Sequence, residues 1–392
     1  VTTGAVITGI GQSAVGRRLG RSALSLTLEA TLAALADAGL TREDIDGVAT
    51  WPGFAGLTPG MSGIGVWELQ DALDLRLNWF VGGWEGGSQL AAVFNAVLAV
   101  QAGLARHVVV FRTLWESTAA TGDRKASVFG AGEDRVEGWF AHAAPFGALS
   151  ASTWAALVAR RHMHLYGTTR EQLGAIAVTQ RANAARNPTA VMQEPLTLEQ
   201  YLTARPIATP LGLYDCDVPI DGSVAVIVSA ADAATDTRAP GVTIQAMSSA
   251  LAGRNRWDQY GDGASMVSSE VGRDLWRRTD LRPADVDVAQ LYDGFSVLTL
   301  LWLEALGFVK PGEGGPFLEG GTRIALDGEL PLNTGGGQLS AGRLHAYGHL
   351  HEACLQLRGE GGARQVPGDP QVALVAAGGG FLAGALLLTR NN

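Results

Sequence analysis

Residues 335–359, GGGQLSAGRLHAYGHLHEACLQLRG, run from a glycine loop into a helix-forming stretch. Such a junction presents backbone N–H donors, which suit an anionic group or charge developing on oxygen. Inside it stand His345, Tyr347 and His349. On a helix, His345 and His349 would share one face. A metal would need a further ligand, and none follows at recognisable spacing. His345 therefore reads more readily as a substrate contact or proton relay. A second glycine run, Gly378, Gly379 and Gly380, lies between two apolar segments and could bring N–H donors close to an oxyanion. Tyr292 has two readings. It is a strand-end ring with a satisfied hydroxyl, or a phenol of free pKa about 10 tuned to pass protons. Its neighbour Asp293 reads as the cap of a helix beginning at Phe295. Neither cysteine makes a good nucleophile. Cys216 is flanked by Asp215 and Asp217, which raise a thiol pKa, and Cys354 sits deep in a helix-like segment as a small core residue.

The elements that must position these groups occur twice. GAVITGIGQSAVGR at residues 4–17 matches GVTIQAMSSALAGR at 241–254 in length and alternation, each reading as a strand running into a loop. A helix-like segment follows in both halves, closing on LTREDID at 40–46 and LRPADVD at 281–287. Their aspartates read as turn and cap residues before the next strand. Then come glycine loops opening helices, at 82–88 and 335–342, with helices over 89–103 and 345–359. Two apolar strands close each half, at 107–112 with 224–230, and at 371–377 with 384–390. In the first half an insertion over about 113–220 separates that pair. It contains helices at 151–166 and 170–187, and an aromatic start with Trp115, Phe129, Trp139, Phe140 and Phe146, and it reads as a lid or substrate-facing subdomain. Alternating strands and helices indicate an α/β fold, and a repeat this large indicates two packed halves, divided at 1–235 and 236–392.

Composition sets the limits. The 392 residues carry a net charge of −9, with 47% hydrophobic and 17% charged residues. That is an ordinary globular balance without the cationic footprint that nucleic acid requires. Two cysteines and no CxxC make neither a disulfide framework nor a structural zinc site expected. The first residues, VTTGAVITGIG, lack a charged region leading into an apolar one. No signal peptide, no membrane span and a cytoplasmic location are the expectations.

Residues 335–359 also have the outline of the thiolase segment GGxxxxGHPxGATG followed by QLRG. With RRHMHLYGTTREQL from 160, Arg181, Asn187-Pro188, PLGLYDC at 210–216 and DGS at 221–223, the chain resembles the thiolase superfamily. Within it, these motifs resemble the sterol-carrier-protein-X and lipid-transfer-protein-like branch. The resemblance implies a duplicated thiolase fold of two βαβαβαββ halves layered α-β-α-β-α. It also shows what is missing. The stretch that would hold the nucleophilic Cys is Trp84-Glu85-Gly86-Gly87-Ser88, the GHP histidine is Arg343, and the last glycine loop has no Cys. The pattern looks like the steroid side-chain-cleaving aldolases of this group, in which tyrosines of Tyr-Asp-Gly-Phe and Ala-Tyr-Gly-His segments are implicated. Those are Tyr292 and Tyr347 here. The resemblance then implies retro-aldol cleavage of a 3-hydroxyacyl-CoA with a 17-hydroxy steroid tail, giving a ketone and a short acyl-CoA. It also implies no cofactor in this chain, a homodimer, and a small zinc-ribbon and OB-fold partner protein of a hydratase. The alternatives are a non-catalytic lipid or acyl-CoA binding protein and an acyl-CoA acyltransferase.

Overall fold

A computed structural model describes residues 4–53, 60–83, 86, 88–119, 140–148, 150–253 and 260–391. Trp84, Glu85, Gly87, Phe129, Trp139 and Arg254 lie outside them. The first half runs β1 (Ala5–Gln12), α1 (Ala23–Ala38), β2 (Gly47–Thr50), α2 (Val66–Leu73), β3 (Trp79–Gly82), α3 (Ala91–Gln101) and β4 (His107–Trp115). The insertion follows with α4 (Glu116–Ala119), α5 (Phe140–Ala143), α6 (Ala151–Tyr166), α7 (Arg170–Ala184), α8 (Leu198–Thr203), β5 (Pro206–Ala208) and β6 (Leu211–Gly212). The chain returns through β7 (Asp221–Ala230). The second half runs β8 (Val242–Leu251), α9 (Ser268–Leu275), β9 (Val288–Gln290), α10 (Ser296–Ala305), α11 (Gly314–Leu318), α12 (Tyr347–Arg358), β10 (Val372–Gly379) and β11 (Leu382–Arg390).

Both halves feed one nine-stranded sheet in the order β3-β2-β4-β7-β1-β8-β11-β10-β9. Outward from the middle, β1-β7-β4-β2 mirrors β8-β11-β10-β9. In each set two antiparallel pairings are followed by a parallel one. The halves join where Val6 faces Thr243 and Ile7 faces Val242. The two halves expected from the sequence are thus hydrogen-bonded edge to edge. The duplication reaches individual bonds. Asp46 accepts from the N–H groups of Arg106 and His107 at the start of β4. Asp287 does the same for Gln371 and Val372 at the start of β10.

Strands β4 and β7 carry continuous apolar runs, VVVF at 108–111 and VAVIV at 224–228, because both faces are covered there. Val108, Val110, Val224 and Val226 face one core with residues of α3 and α12. Val109, Phe111, Ala225 and Ile227 face another with residues of α1 and α2. Helix α12 packs on strands of both halves, including β7, β1, β9 and β10. The insertion packs α7 against residues 337–341, the loop ahead of α12. Helix α7 ends at Ala184, short of the expected 187, and the turn beyond it lets Asn187 Nδ2 donate to Gly335 O at 2.8 Å.

Candidate active site

Tyr292 leaves the end of β9 and is 4% exposed. Its segment is clamped by Asn333, whose carboxamide accepts from Leu291 N at 2.7 Å and donates to Leu291 O at 2.9 Å. The ring needs the next-but-one residue to be glycine, because a Cβ on Gly294 would lie 2.9 Å from it. Gln89, just ahead of α3, donates to the Tyr292 hydroxyl at 3.3 Å.

Asp293 is no helix cap, contrary to expectation: the N-cap of α10 is Phe295, with no side-chain capping hydrogen bond. Asp293 instead accepts from Gln338 N at 3.0 Å and Leu339 N at 3.2 Å, gripping the glycine loop. His349 Nε2 lies 3.0 Å from its Oδ1, though not aligned as a hydrogen bond. Gly337 has φ +58, and a Cβ there would stand 2.2 Å from Asp293 Oδ2, so this grip requires glycine. Residues Gly337–Ala341 form a single π-turn between the loop and α12.

The expected helix over 345–359 starts later. His345 and Ala346 both have positive φ, +49 and +69, and α12 begins at Tyr347. His345 and His349 therefore do not share a helical face, which removes the geometry of a metal pair. No group of three His, Cys, Asp or Glu side chains among the described residues is placed to hold a metal. Tyr347 is wholly buried, and its hydroxyl has no partner among the described residues. His345 N–H donates to Gln338 Oε1 at 3.1 Å.

Arg112 sits among these groups. It is 1% exposed, donates to Met61 O at 2.6 Å, stands over the Trp51 ring at 5.3 Å, and approaches His345 Nδ1 at 2.7 Å. Burial lowers its pKa to about 10, which leaves it a cation near neutrality. Burial pushes the phenols of Tyr292 and Tyr347 up. The Arg112 charge opposes this at Tyr347, and Arg343 opposes it at Tyr292, where Asp217 adds to the rise. Burial first, with Arg112 and Arg343, holds the His345 imidazole well below its usual pKa. Arg343 stands where a thiolase histidine would be, yet it is engaged as an ion pair. It donates to Glu116 Oε2 at 2.6 Å and Asp217 Oδ1 at 3.1 Å. Burial raises the Asp217 carboxyl to about 7 against the pull of Arg343, with Glu116 and Asp293 adding to the rise.

The glycine run is also held in place. Trp302 Nε1 donates to Gly378 O at 3.0 Å, and Val267 N donates to Gly380 O at 2.8 Å. A Cβ on Gly378 would lie 3.1 Å from that of Ser88, the neighbour of Gln89. Gly379 is the last residue of β10. The two cysteine thiols are both pushed up to about 12, chiefly by burial.

Known proteins resemble this chain in sequence and fold. Residues 254–389 match the thiolase C-terminal domain-like family. The chain is 36% identical to the 17-hydroxy-3-oxo-4-pregnene-20-carboxyl-CoA lyase of Mycobacterium tuberculosis, over 98% of each chain. It is 35% identical to the steroid side-chain-cleaving aldolase of Thermomonospora curvata, over 98% of this chain and 97% of the other. The chain belongs to this aldolase branch of the thiolase superfamily. The solved Ltp2-ChsH2(DUF35) aldolase matches with a TM-score of 0.87 at 33% identity, covering 99% of this chain and 98% of that one. An acetyl-CoA acetyltransferase from Syntrophomonas wolfei, with a TM-score of 0.68 at 16% identity, shares the fold.

For an aldolase of this branch, the structure brings Tyr292, Tyr347 and His345 together around Arg112. It connects Gly378 to them through Ser88 and Gln89. Sequence reasoning missed Arg112, Gln89, Gln338, Glu116 and Asp217. Arg112 did leave a signal, as the one charged residue between the apolar stretch VVVF and TLW of β4. The branch motifs are mostly structural. Arg181 donates to Ser340 Oγ at 2.9 Å, Asp215 accepts from Gly212 N at 2.7 Å, and Asp221 accepts from Leu19 N and Thr118 N. His162 lies between Thr168 and Glu304.

Proposed function

We propose that this chain cleaves the side chain of a 17-hydroxy steroid acyl-CoA by a retro-aldol reaction. The hydroxyl proton leaves, the carbinol carbon becomes a ketone, and the bond to the α-carbon breaks. Its electron pair passes to the thioester enolate, which then takes a proton at carbon and departs as a short acyl-CoA such as propionyl-CoA. The observation that carries this reading is a pair of buried phenols beside buried cations, in a fold whose thiols are both raised to about 12. Retro-aldol cleavage needs proton transfer and enolate stabilisation but no covalent nucleophile.

In this reading Tyr292 handles the hydroxyl proton and Tyr347 serves the enolate carbon. Because burial keeps Tyr292 a neutral phenol, it relays a proton and does not rest as a phenolate. Asp217, raised to about 7, is a matched acceptor among the charges that act on Tyr292. Backbone N–H groups of Gly378, Gly379 and Gly380 are the proposed oxyanion donors. The Ltp2-ChsH2(DUF35) relative supports a small partner protein, which the sequence resemblance describes as a zinc-ribbon and OB-fold protein. Homodimerisation is supported by β3, an edge strand among the described residues, where Phe80 is 56% exposed beside Trp67 at 78%.

The test is product analysis with 17-hydroxy-3-oxo-4-pregnene-20-carboxyl-CoA, using the chain alone and with its partner. A steroid ketone and propionyl-CoA are expected. Tyr292→Phe and Tyr347→Phe should each lower kcat by about 10²-fold or more, the scale of a lost acid–base group, with an unchanged circular-dichroism spectrum. Full activity in both variants, or binding without turnover in the complex, would sink the assignment.

A further inference from the structure

Arg112 has no carboxylate within hydrogen-bond reach among the described residues, and its closest ring contact is the 2.7 Å approach to His345 Nδ1. A guanidinium offers only donors and keeps its proton in proteins. Nδ1 must therefore present its lone pair. A doubly protonated imidazole would set N–H against N–H at that distance, so the ring proton belongs on Nε2. The charged groups acting on the ring, Arg112 and Arg343, are both cations, and both oppose a second proton. The ring's position is set from the backbone by a φ of +49 and by the N–H bond to Gln338. No hydrogen-bond partner of Nε2 occurs among the described residues.

We propose that Arg112 is a positioning residue that locks His345 as a neutral imidazole protonated on Nε2. His345 then donates a hydrogen bond to the substrate thioester oxygen and takes no part in proton transfer. The second half rests on the aldolase reading. A donor that keeps its proton suits an oxygen whose negative charge rises in the enolate and falls again as carbon is protonated. The two tyrosines are then left as the proton-handling pair.

The tautomer is tested on the ligand-free chain carrying ¹⁵N-histidine, with the His345 signals assigned by their loss in His345→Gln. Between about pH 6 and 8, across the usual imidazole range, Nδ1 should resonate as an unprotonated, hydrogen-bonded nitrogen and Nε2 as protonated. Arg112→Met should show a mixture of tautomers. A wild-type ring protonated at Nδ1, or at both nitrogens, overturns the lock whatever the activity. The donor role is tested by infrared difference spectra of a bound steroid acyl-CoA lacking the 17-hydroxyl, which cannot cleave. Its thioester C=O stretch should fall on binding to wild type and recover in His345→Ala, with kcat on the hydroxylated substrate lowered about 10²–10³-fold. An identical stretch in wild type and His345→Ala overturns the donor role. If wild type fails to bind that thioester, the aldolase reading falls while the tautomer result stands.

Discussion

A buried phenol and a buried carboxyl face the same cost of ionisation, and at this site the two are set side by side. Tyr292 and Tyr347 are both held as neutral phenols by burial, with Arg343 and Arg112 respectively opposing it. Asp217 is caught near neutrality, at about 7. Its folded-state value lies above the unfolded one of about 3.9, so folding favours its protonated form. That contribution is complete below about pH 4 and is lost as the pH rises through about 7. Wild-type Tm should therefore fall relative to Asp217→Asn between about pH 4 and 8, across the window set by those two values. Thermal melts across that range check it, and a constant difference would show that Asp217 does not titrate there. Nothing in the sequence around Cys216 disclosed this role. The flanking aspartates were legible as bad company for a thiol, but the ion pair with Arg343, a residue 126 positions away, depends on tertiary structure.

At the scale of elements, the glycine loop works as a gripped turn more than as an open N–H cradle. Asp293 holds Gln338 and Leu339, Asn333 holds Leu291, and the insertion supplies Arg181 from α7 and Asn187 from the turn after it. Gly337→Ala would drive a methyl into Asp293 and force an L-residue to φ +58. We expect a loss of about 2–4 kcal/mol, within the range for overpacking combined with backbone strain, together with most of the activity. Urea denaturation and initial rates measure both, and a urea midpoint equal to that of wild type would contradict it. The loop and helix were legible from composition, but their junction was not. Helical spacing placed His345 and His349 on one face, whereas two successive left-handed residues, neither of them glycine, delay the helix to Tyr347. Periodicity carries no mark of such a bend, because tertiary contacts impose it.

At the scale of the molecule, the duplication was the most legible feature. It is carried by paired motifs such as those ending in Asp46 and Asp287, and these repeat the same hydrogen bonds in the structure. The continuous sheet was not legible, since a junction of Val6 with Thr243 and Ile7 with Val242 leaves no pattern of its own. Among the described residues, β3 is a terminal strand of the sheet with no further strand paired to it. Exposed apolar edge strands invite pairing with another chain. Phe80→Glu together with Trp67→Glu should convert the proposed homodimer to monomers in light scattering while preserving the circular-dichroism spectrum. A dimer that survives both changes would place the interface elsewhere.

The bend at His345 and Ala346 has a practical consequence for anyone improving this enzyme. Left-handed conformations at two non-glycine residues cost about 1–3 kcal/mol each, so relaxing them is an easy route to a higher melting temperature. Ala346→Gly is the kind of change a heat-challenge library would enrich. The matching change at position 345, His345→Gly, would relieve the same strain but delete the imidazole that Arg112 meets. Selection for heat resistance alone should therefore drift toward well-folded, slow enzymes at these two positions, and turnover has to be screened alongside it.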